Sequence, residues 1–303
     1  MDPHLLRTYV AVARLGSFSE AARALGYTQS AVSQHIAALE GDLGLPLLTR
    51  RPVAPTPAGE RLLEHAGSLL LRLDAARADL ARFAAPPRET LTLVASPLAL
   101  HPRPLAVLPA TGVTLRVLPR DEVPAAVATG AADLGLVDGV AAPSDPLRLP
   151  DVAPLTARRV AEEPLAVVLP ADHPLACRAG LDLADLVDAR WLDAPDAGIP
   201  LDRLRAAHGG PAGSGFRAAL RCEGTDVRTV AALAAAGHGL ALLPASAGVA
   251  AGVAAGGPGA GALVPLAAPR LVHRTELLHA GGEPVGPVAE LVRRLTTLPE
   301  AGR

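Results

Sequence analysis

The sequence contains no lysine, so all of its fixed positive side chains are arginines. Aromatic residues make up only 2% of its 303 residues, and hydrophobic cores must therefore be built from leucine, valine and alanine. The two cysteines, Cys177 and Cys222, offer neither a disulfide framework nor the spacing of a metal site, which is typical of a reducing compartment. The nine histidines include no pair at helical spacing with a further ligand, so we expect neither a metal nor a cofactor.

Long apolar runs are also missing. No stretch of about 18 uncharged apolar residues occurs, and the N-terminus lacks the basic, apolar and small-residue segments of a signal peptide. We therefore expect a cytoplasmic protein without a membrane partner. Half of the residues are hydrophobic and 19% are charged, which provides enough apolar surface for two or three domains. No nucleophile can be paired with a base, and we predict that the protein is not an enzyme.

Residues 17–40 have the pattern of two short helices joined by a turn at Gly26. Ser19 is placed to cap the first helix and Thr28 to cap the second, because their hydroxyls can accept hydrogen bonds from free amides of a first turn. Glycine ends the first helix, since it adopts the left-handed conformation without a side-chain clash. Four aliphatic residues share one face of the second helix, which we expect to be buried: Val32, Ile36, Leu39 and Leu43.

The opposite face of the second helix carries Ser30, Ser33 and Gln34, with Gln29 at the helix start. These side chains are short, neutral and rich in hydrogen-bonding groups, which suits base edges in a major groove. The pattern predicts a helix-turn-helix that binds double-stranded DNA. The candidate DNA-binding residues of this segment are Thr28, Gln29, Ser30, Ser33 and Gln34. The alternative is that any two amphipathic helices separated by a glycine have this appearance.

Residues 9–59 closely resemble the N-terminal domain of LysR-type transcriptional regulators. The residues that carry the resemblance are Ser17-Phe18, Ala21-Ala22, Leu25, Thr28-Gln29, Ala31-Val32-Ser33, Ile36, Leu39-Glu40, Leu43-Gly44, Arg50-Arg51, Thr56 and Ala58-Gly59. Ser30 and Leu48 depart from the family, which usually has proline and phenylalanine there. The resemblance implies a winged helix-turn-helix in which Arg50 and Arg51, on the wing, contact phosphates or the minor groove. Residues 1–85 contain nine arginines and eight acidic residues, a balance that argues against a non-specific DNA coater.

A heptad pattern follows Thr56-Pro57, a pair that suits a helix start. A helix from there to Pro86-Pro87 would have 29 residues and span about 43 Å, and it would expose an apolar stripe unless another chain covers it. Packing of the stripe on its own chain is the alternative. The resemblance implies that this linker helix forms a homodimer, and it favours a homotetramer overall. The predicted dimer seam consists of Leu62, Ala66, Leu69, Leu73, Ala76, Leu80 and Phe83.

Beyond residue 90, strand-like and helical segments alternate, which indicates parallel sheets with crossover helices. The predicted strands are 91–95, 115–118, 134–137, 165–169, 216–222 and 240–243, and the predicted helices are 121–129, 183–188, 201–208 and 226–236. Residues 162–175 and 235–244 resemble the effector-binding domain of the same family, which is similar to periplasmic binding proteins. We therefore expect an α+β winged helix-turn-helix domain (1–58), a linker helix (59–89) and a two-lobed α/β effector domain (90–303). Lobe I is expected at about 90–162 and 268–300, and lobe II at about 163–267.

A small-molecule effector is expected between the lobes, where strand ends and helix starts meet. The resemblance places effector contacts near the end of the first strand and near the helix start at position 225. The alternative for Ser96 and Thr225 is that they only cap helices. The candidate effector-binding residues are Ser96, Leu98, Val137, Asp138, Thr225 and Asp226.

The resulting prediction is a LysR-type regulator that reads an inverted repeat and responds to a bound effector. Two other functions stay open. One is a different winged-helix regulator with an anion-binding module, of the molybdate-responsive kind. The other is a ligand-binding or catalytic α/β protein whose N-terminal helices mediate protein contacts rather than DNA binding.

Overall fold

A computed structural model of the protein describes residues 1–83, 90–143, 145–152, 154–209, 215–253 and 261–297. These residues form two compact units, Met1–Ala78 and Asp79–Arg303. Within the described ranges, no helix combines the length and the apolar character needed to cross a membrane. The predicted helix end at Pro86-Pro87 lies outside the described residues.

The first unit contains three helices, a β-hairpin and most of a long fourth helix. Its elements are α1 (Pro3–Leu15), α2 (Phe18–Leu25), α3 (Gln29–Leu43), β1 (Leu48–Arg50), β2 (Val53–Pro55) and α4 (Pro57–Arg82). β1 and β2 pair antiparallel and form the wing. The long helix has 26 residues, three fewer than the heptad pattern predicts.

Helix caps fix the two helices of the helix-turn-helix. Ser17, and not Ser19 as predicted, caps α2, because its Oγ accepts a hydrogen bond from the Glu20 amide at 3.3 Å. Ser19 instead lies in the first turn and is exposed. Gly26 has a φ of 71°, as the predicted turn requires, and Thr28 Oγ1 accepts the Ala31 amide at 3.1 Å.

The inner face of α3 lies in the core of the first unit. Val32, Ile36 and Leu39 are completely buried there. Leu43 is 38% exposed, which contradicts its predicted burial. It is the last residue of α3, and the chain turns away at Gly44, so the core does not extend to its side chain.

The apolar stripe of α4 is divided between two environments, so it is not the uniform seam that was predicted. Leu62 is half-buried and Ala66 completely buried against the core of the first unit, which leaves Ala66 no surface for a partner. Further along the helix, Leu69, Leu80 and Phe83 are 44%, 71% and 87% exposed. Between them Leu73 is half-buried and Ala76 is exposed, so the stripe packs on its own chain over its first turns and is mostly exposed beyond them.

The second unit is a mixed α/β structure. Its strands are β3 (Leu91–Ala95), β4 (Val113–Val117), β5 (Leu134–Ala141), β6 (Leu155–Pro170), β7 (Leu181–Asp182), β8 (Arg190–Asp193), β9 (Arg217–Arg221), β10 (Ala241–Pro244), β11 (Gly261–Ala268) and β12 (Val272–Ala280). Its helices are α5 (Pro102–Ala106), α6 (Glu122–Ala128), α7 (Leu201–His208), α8 (Val227–Ala235), α9 (Ala245–Ala250) and α10 (Gly286–Thr296). Two further segments, Pro97–Ala99 and Leu183–Leu186, form 3-10 turns, the second of which replaces the predicted helix at 183–188.

The sheets are mixed, so the expectation of parallel sheets is only partly correct. Pairing is parallel for β3 with β4 and β5, for β7 with β11 and for β8 with β9. It is antiparallel where β12 joins β5 to β6, and where β6 pairs with β10 and β11. Two of these strands were not predicted from the sequence: β12, which is antiparallel to both β5 and β6, and β11, which is antiparallel to β6.

β6 is shared by the two ends of the eight-stranded sheet. Its first part, through Pro164, pairs with β12, and its second part pairs with β10 and β11. One hydrophobic core surrounds Leu93, Leu134 and Leu277, and another surrounds Trp191 and Phe216. The predicted boundary between lobes, at 162–163, falls inside this strand.

Candidate functional site

The outer face of α3 presents the polar residues that the sequence singles out. Gln29, Ser30 and Gln34 are exposed, and Ser33 is half-buried. Thr28 is exposed too, but its hydroxyl is occupied as the helix cap. Because the residues on the opposite face are buried, this polar face is held toward solvent. Its use in base recognition stays a prediction.

The wing places two cations beside the helix-turn-helix. Arg50 and Arg51 are both exposed, at the end of β1 and in the turn after it. The Arg50 guanidinium carbon lies 5.2 Å from the centre of the Phe18 ring, a cation–π distance. Tyr27, which the sequence analysis did not select, is 43% exposed just before α3, and its ring meets His35 edge to face at 5.2 Å. The sequence signal that could have identified Tyr27 is an aromatic residue just before a helix start, in a chain with few aromatic residues.

A cavity of about 530 Å³ lies in the second unit between predicted lobe I and predicted lobe II. Its lining includes Arg120, Val137, Asp138, Leu147, Ile199 and Arg203. Val137 and Asp138 are therefore the two predicted effector residues that the cavity brings together. Its walls combine aliphatic side chains and arginines from both predicted lobes with aspartates from predicted lobe I.

The other four predicted effector residues do not line this cavity. Leu98 is buried in the hydrophobic core, and Ser96 is completely buried. Ser96 Oγ accepts a hydrogen bond from the Asp138 amide at 3.1 Å and donates one to the Leu136 carbonyl at 3.3 Å, so it ties the ends of β3 and β5 together.

Thr225 and Asp226 lie at the start of α8. Asp226 caps this helix and accepts hydrogen bonds from the Arg228 amide at 3.0 Å and from Thr229 Oγ1 at 2.6 Å. These hydrogen bonds lower the pKa of the exposed Asp226 carboxyl. Capping was the alternative to effector binding at this helix start, and Asp226, not Thr225, is the cap. An effector contact for either residue stays a prediction.

Asp138 forms the charged inner wall of the cavity together with Arg120. The Arg120 guanidinium donates to Asp138 Oδ2 from Nη2 at 2.9 Å and from Nε at 3.3 Å. The same guanidinium reaches the carbonyls of Pro195 at 3.5 Å and Gly198 at 3.3 Å, which lie in predicted lobe II. Burial alone would raise the pKa of Asp138, but Arg120 and His273 outweigh it and hold that pKa well below its usual range.

His273 on β12 lies behind this wall and is completely buried. Its Nε2 lies 3.1 Å from Asp138 Oδ2, and its Nδ1 lies 3.5 Å from Glu163 Oε1. Burial lowers the pKa of His273, but the two carboxylates favour the charged ring and raise that pKa above its usual value. Burial raises the pKa of Glu163, while the neighbouring His273 ring and the hydrogen bond from the Ser246 amide lower it, with a net decrease.

Two charged residues of β12 hold the loop that forms one rim of the cavity. Arg274 donates to the Asp145 carbonyl and to the Glu162 carboxylate, and Glu276 Oε1 accepts the Leu147 amide at 3.0 Å. Leu147 packs over Gly139, where an added Cβ would lie 2.8 Å from its Cδ2. The absence of a side chain at position 139 therefore lets Leu147 close over β5.

The sequence analysis missed Arg120, Arg148 and Arg203 as cavity residues. Arg120 follows β4 by three positions, and the rule that ligands bind at the carboxyl ends of parallel strands selects it. Arg148 and Arg203 are exposed side chains on a loop and on α7, and no periodicity distinguishes them. Among the described residues, no group of three or more His, Cys, Asp or Glu side chains is placed to hold a metal ion.

Two family models match the chain. Residues 3–60 match the model described as a bacterial regulatory helix-turn-helix protein of the lysR family, and residues 84–296 match the LysR substrate binding domain. The matched segments contain the polar face of α3 and the lining of the cavity. Together they cover most of the sequence.

Full-length relatives agree with the family models. A probable hydrogen peroxide-inducible genes activator of Mycobacterium avium is 33% identical over 80% of this chain and 77% of its own length. The transcriptional regulator BudR of Raoultella terrigena is 30% identical over 81% of this chain and 85% of its own. A solved structure of a Corynebacterium glutamicum OxyR mutant has 26% identity and a TM-score of 0.50, with 98% of this chain and 90% of that chain covered. The chain thus belongs to the LysR family of bacterial transcriptional regulators, DNA-binding proteins whose second domain binds a small-molecule effector.

Proposed function

We propose that α3 enters the major groove and that Gln29, Ser30, Ser33 and Gln34 contact base edges. The observation that carries this proposal is the contrast between the two faces of α3: Ile36 is completely buried, whereas Gln34 is exposed. An exposed glutamine can bond bidentately to adenine, and serine can donate to or accept from several bases. The cap at Thr28 directs free backbone amides of the helix start toward phosphates.

Substitution on this face tests the proposal. DNase footprinting on the DNA upstream of the protein's own gene locates the operator, and gel shifts then give affinities for the full chain. Each bidentate contact contributes about 1–3 kcal/mol of discrimination, so Gln34→Ala is expected to weaken specific binding by about 5- to 150-fold. Ser30→Ala is compared with the matched control Ser68→Ala on the exposed side of α4. Unchanged operator affinity in Gln34→Ala and Ser30→Ala would refute the assignment.

We propose that the wing arginines contact the DNA backbone and that two copies of the chain bind an inverted repeat. Arg51 is exposed at the tip of the wing, where a phosphate contact needs no rearrangement. Leu69 and Leu80 of α4 and Phe83, which follows the helix, are exposed and are the part of the predicted seam left for a second copy. Oligomerisation is typical of LysR regulators, and the specific seam residues are our proposal.

We also propose that the effector binds in the 530 Å³ cavity, where Arg120 and Asp138 face Arg203 and Ile199 across the predicted lobes. A ligand there would contact both lobes, so its binding free energy depends on their arrangement. A difference in binding free energy between two lobe arrangements allows an effector to shift the equilibrium between them. The change would alter the spacing of the DNA-binding heads.

Filling the cavity tests this assignment. A thermal-shift screen of small organic acids, amino acids, sugars and phenols is run on the full chain. A true ligand stabilises the folded state by about 2.7 kcal/mol at one hundred times its Kd. Ala207→Trp, inside the cavity, is expected to abolish that shift, and Ala219→Trp, on the exposed side of β9, to retain it. A ligand whose shift survives in Ala207→Trp binds elsewhere.

Three further assignments belong to this proposal. We propose that the protein acts in the cytoplasm, where operator DNA lies, and that it has no catalytic activity, in line with a family of regulators. The domain limits are proposed as 1–58, 59–89 and 90–303. The linker of that division begins two residues after the start of α4 at Pro57.

A further inference from the structure

A row of buried ionisable side chains crosses three neighbouring strands behind the cavity. His273 on β12 is directly opposite Glu163 on β6, and Asp138 on β5 is its diagonal neighbour on the same face of the sheet. The side chains of Asp138 and His273 are completely buried, and that of Glu163 is 11% exposed. We refer to Asp138, His273 and Glu163 as the buried triad.

Each end of the buried triad contacts a different part of the second unit. At one end, Asp138 lines the cavity and holds Arg120. At the other end, Glu163 Oε2 accepts the Ser246 amide at 3.1 Å, in the first turn of α9. The triad therefore runs from the wall that predicted lobe I contributes to the proposed effector cavity to a helix of predicted lobe II.

Charge makes the members of the buried triad depend on one another. A buried carboxylate is tolerated when a cation or hydrogen-bond donors face it, and His273 is the group between two such carboxylates. Asp138 from β5 and Glu163 from β6 favour the charged form of His273. Arg120, which is paired with Asp138, and His101, before α5, are the other ionisable groups around the buried triad. Burial lowers the pKa of His101, and the nearby Glu163 only partly offsets this, so the surroundings of His101 favour its neutral ring.

We propose that His273 is a positioning residue that couples the charge on the cavity wall at Asp138 to the hydrogen bond between Glu163 and the start of α9. This inference deepens the proposed function, since it rests on the cavity being the effector site. A ligand that weakens the charge of Asp138 would favour loss of the His273 proton. That proton would move to Glu163, whose Oε1 lies 3.5 Å from His273 Nδ1, and the neutral carboxyl would be a weaker acceptor for the Ser246 amide.

The simpler explanation is that the buried triad only holds the strands together. A purely structural role predicts that substitutions change stability without changing the titration of His273 or the local protection of Ser246. The test therefore uses these two local measurements. Neither measurement needs an effector or DNA. Operator gel shifts on the same variants test the proposed function separately, so a failure of the coupling can be distinguished from a failure of that function.

The main variant is Asp138→Asn in the full chain, with the exposed Asp172→Asn as the matched control. NMR of histidine side chains gives the pKa of His273, assigned by comparison with His273→Gln. Loss of the Asp138 carboxylate is expected to lower that pKa by about 1–3 units. Hydrogen exchange at the Ser246 amide is expected to quicken by about tenfold or more. The Ala251 amide, which donates to Ala247 at the other end of α9, should not change.

A second measurement needs no substitution, in case Asp138→Asn does not fold. In the unmodified protein, protection of the Ser246 amide relative to that of Ala251 should shift as the pH rises through the pKa of His273, because the Glu163 carboxylate then loses the cation beside it. His273→Gln should show no such step. The proposal is overturned if Asp138→Asn behaves like Asp172→Asn in both measurements, or if the relative protection of Ser246 stays constant while His273 titrates.

Discussion

Two glycines of α4 provide a sharp test of how the first unit is packed. Gly59 is buried, and a Cβ added there would lie 2.2 Å from the Leu47 carbonyl oxygen and 2.5 Å from the Tyr9 hydroxyl. Gly67 lies two turns later in the same helix and is exposed. A Cβ added there would lie more than 4 Å from every atom beyond its chain neighbours and its own helical backbone. The same change to alanine is therefore expected to have opposite effects at the two positions.

The magnitudes follow from the contacts. In Gly59→Ala the Leu47 carbonyl must retreat by about 0.8 Å to reach even 3.0 Å, and this carbonyl accepts the Thr56 amide at 2.9 Å. Overpacking costs about 1–3 kcal/mol and a weakened hydrogen bond about 1 kcal/mol, while alanine recovers about 1 kcal/mol of helix propensity. The expected net loss is about 1–3 kcal/mol. Gly67→Ala should gain about 0.5–1 kcal/mol.

Hydrogen exchange in the full chain measures this difference where it occurs, because a protein of two units need not unfold in one transition. Peptides that cover α3 report on the core of the first unit. Their exchange should be about 5- to 150-fold faster in Gly59→Ala and slower than in the unmodified protein in Gly67→Ala. The packing described for α4 would be refuted if Gly59→Ala leaves these rates unchanged or if Gly67→Ala raises them equally.

Three further predictions concern the same unit. Glu40 Oε1 accepts the Leu47 and Leu48 amides at 2.7 and 3.2 Å, so Glu40→Ala should cost about 1–3 kcal/mol in denaturant unfolding, and Glu40→Gln, which keeps an acceptor oxygen, should cost less. Burial and, secondarily, Glu60 and Glu40 raise the pKa of Tyr9 to about 12, above its value of about 10 in the unfolded chain. The free energy of unfolding should therefore fall between pH 10 and 12. Denaturation followed by circular dichroism should show this fall in the unmodified protein but not in Tyr9→Phe. An equal alkaline loss in Tyr9→Phe would contradict this. Arg51→Ala should reduce the slope of log affinity against log salt by about 0.9 per protomer in operator titrations, whereas Arg61→Ala on α4 should not.

The helix-turn-helix could be predicted from the sequence because its determinants are local. The positions of Thr28 and Gly26 mark the ends of the helices, and the spacing of Val32 and Ile36 identifies the buried face. The one capping error, Ser19 in place of Ser17, comes from two serines that both precede possible first turns. The predicted burial of Leu43 was wrong because periodicity gives the direction of a side chain but not where the core ends.

The linker helix shows a different limit. Its heptad spacing identifies an apolar stripe without indicating what covers it. Ala66 is covered by the first unit and Leu80 is left exposed, although both occupy equivalent positions of the heptad. What distinguishes them is the neighbouring three-helix core, whose extent along α4 depends on tertiary packing.

The cavity could be located only after strand pairing was known. Asp138 was selected because it follows a strand-like run, but its contact with His273 joins residues 135 positions apart. The link from Arg274 to Glu162 spans 112 positions and depends on β12, a strand that lies antiparallel between β5 and β6. A prediction of parallel strands with crossover helices places the carboxyl ends of the strands at one edge of a sheet. It does not include an antiparallel strand between them. The side chains of that strand hold the cavity loop and the buried triad, so the missed strand explains why His273, Arg274 and Glu276 were not selected.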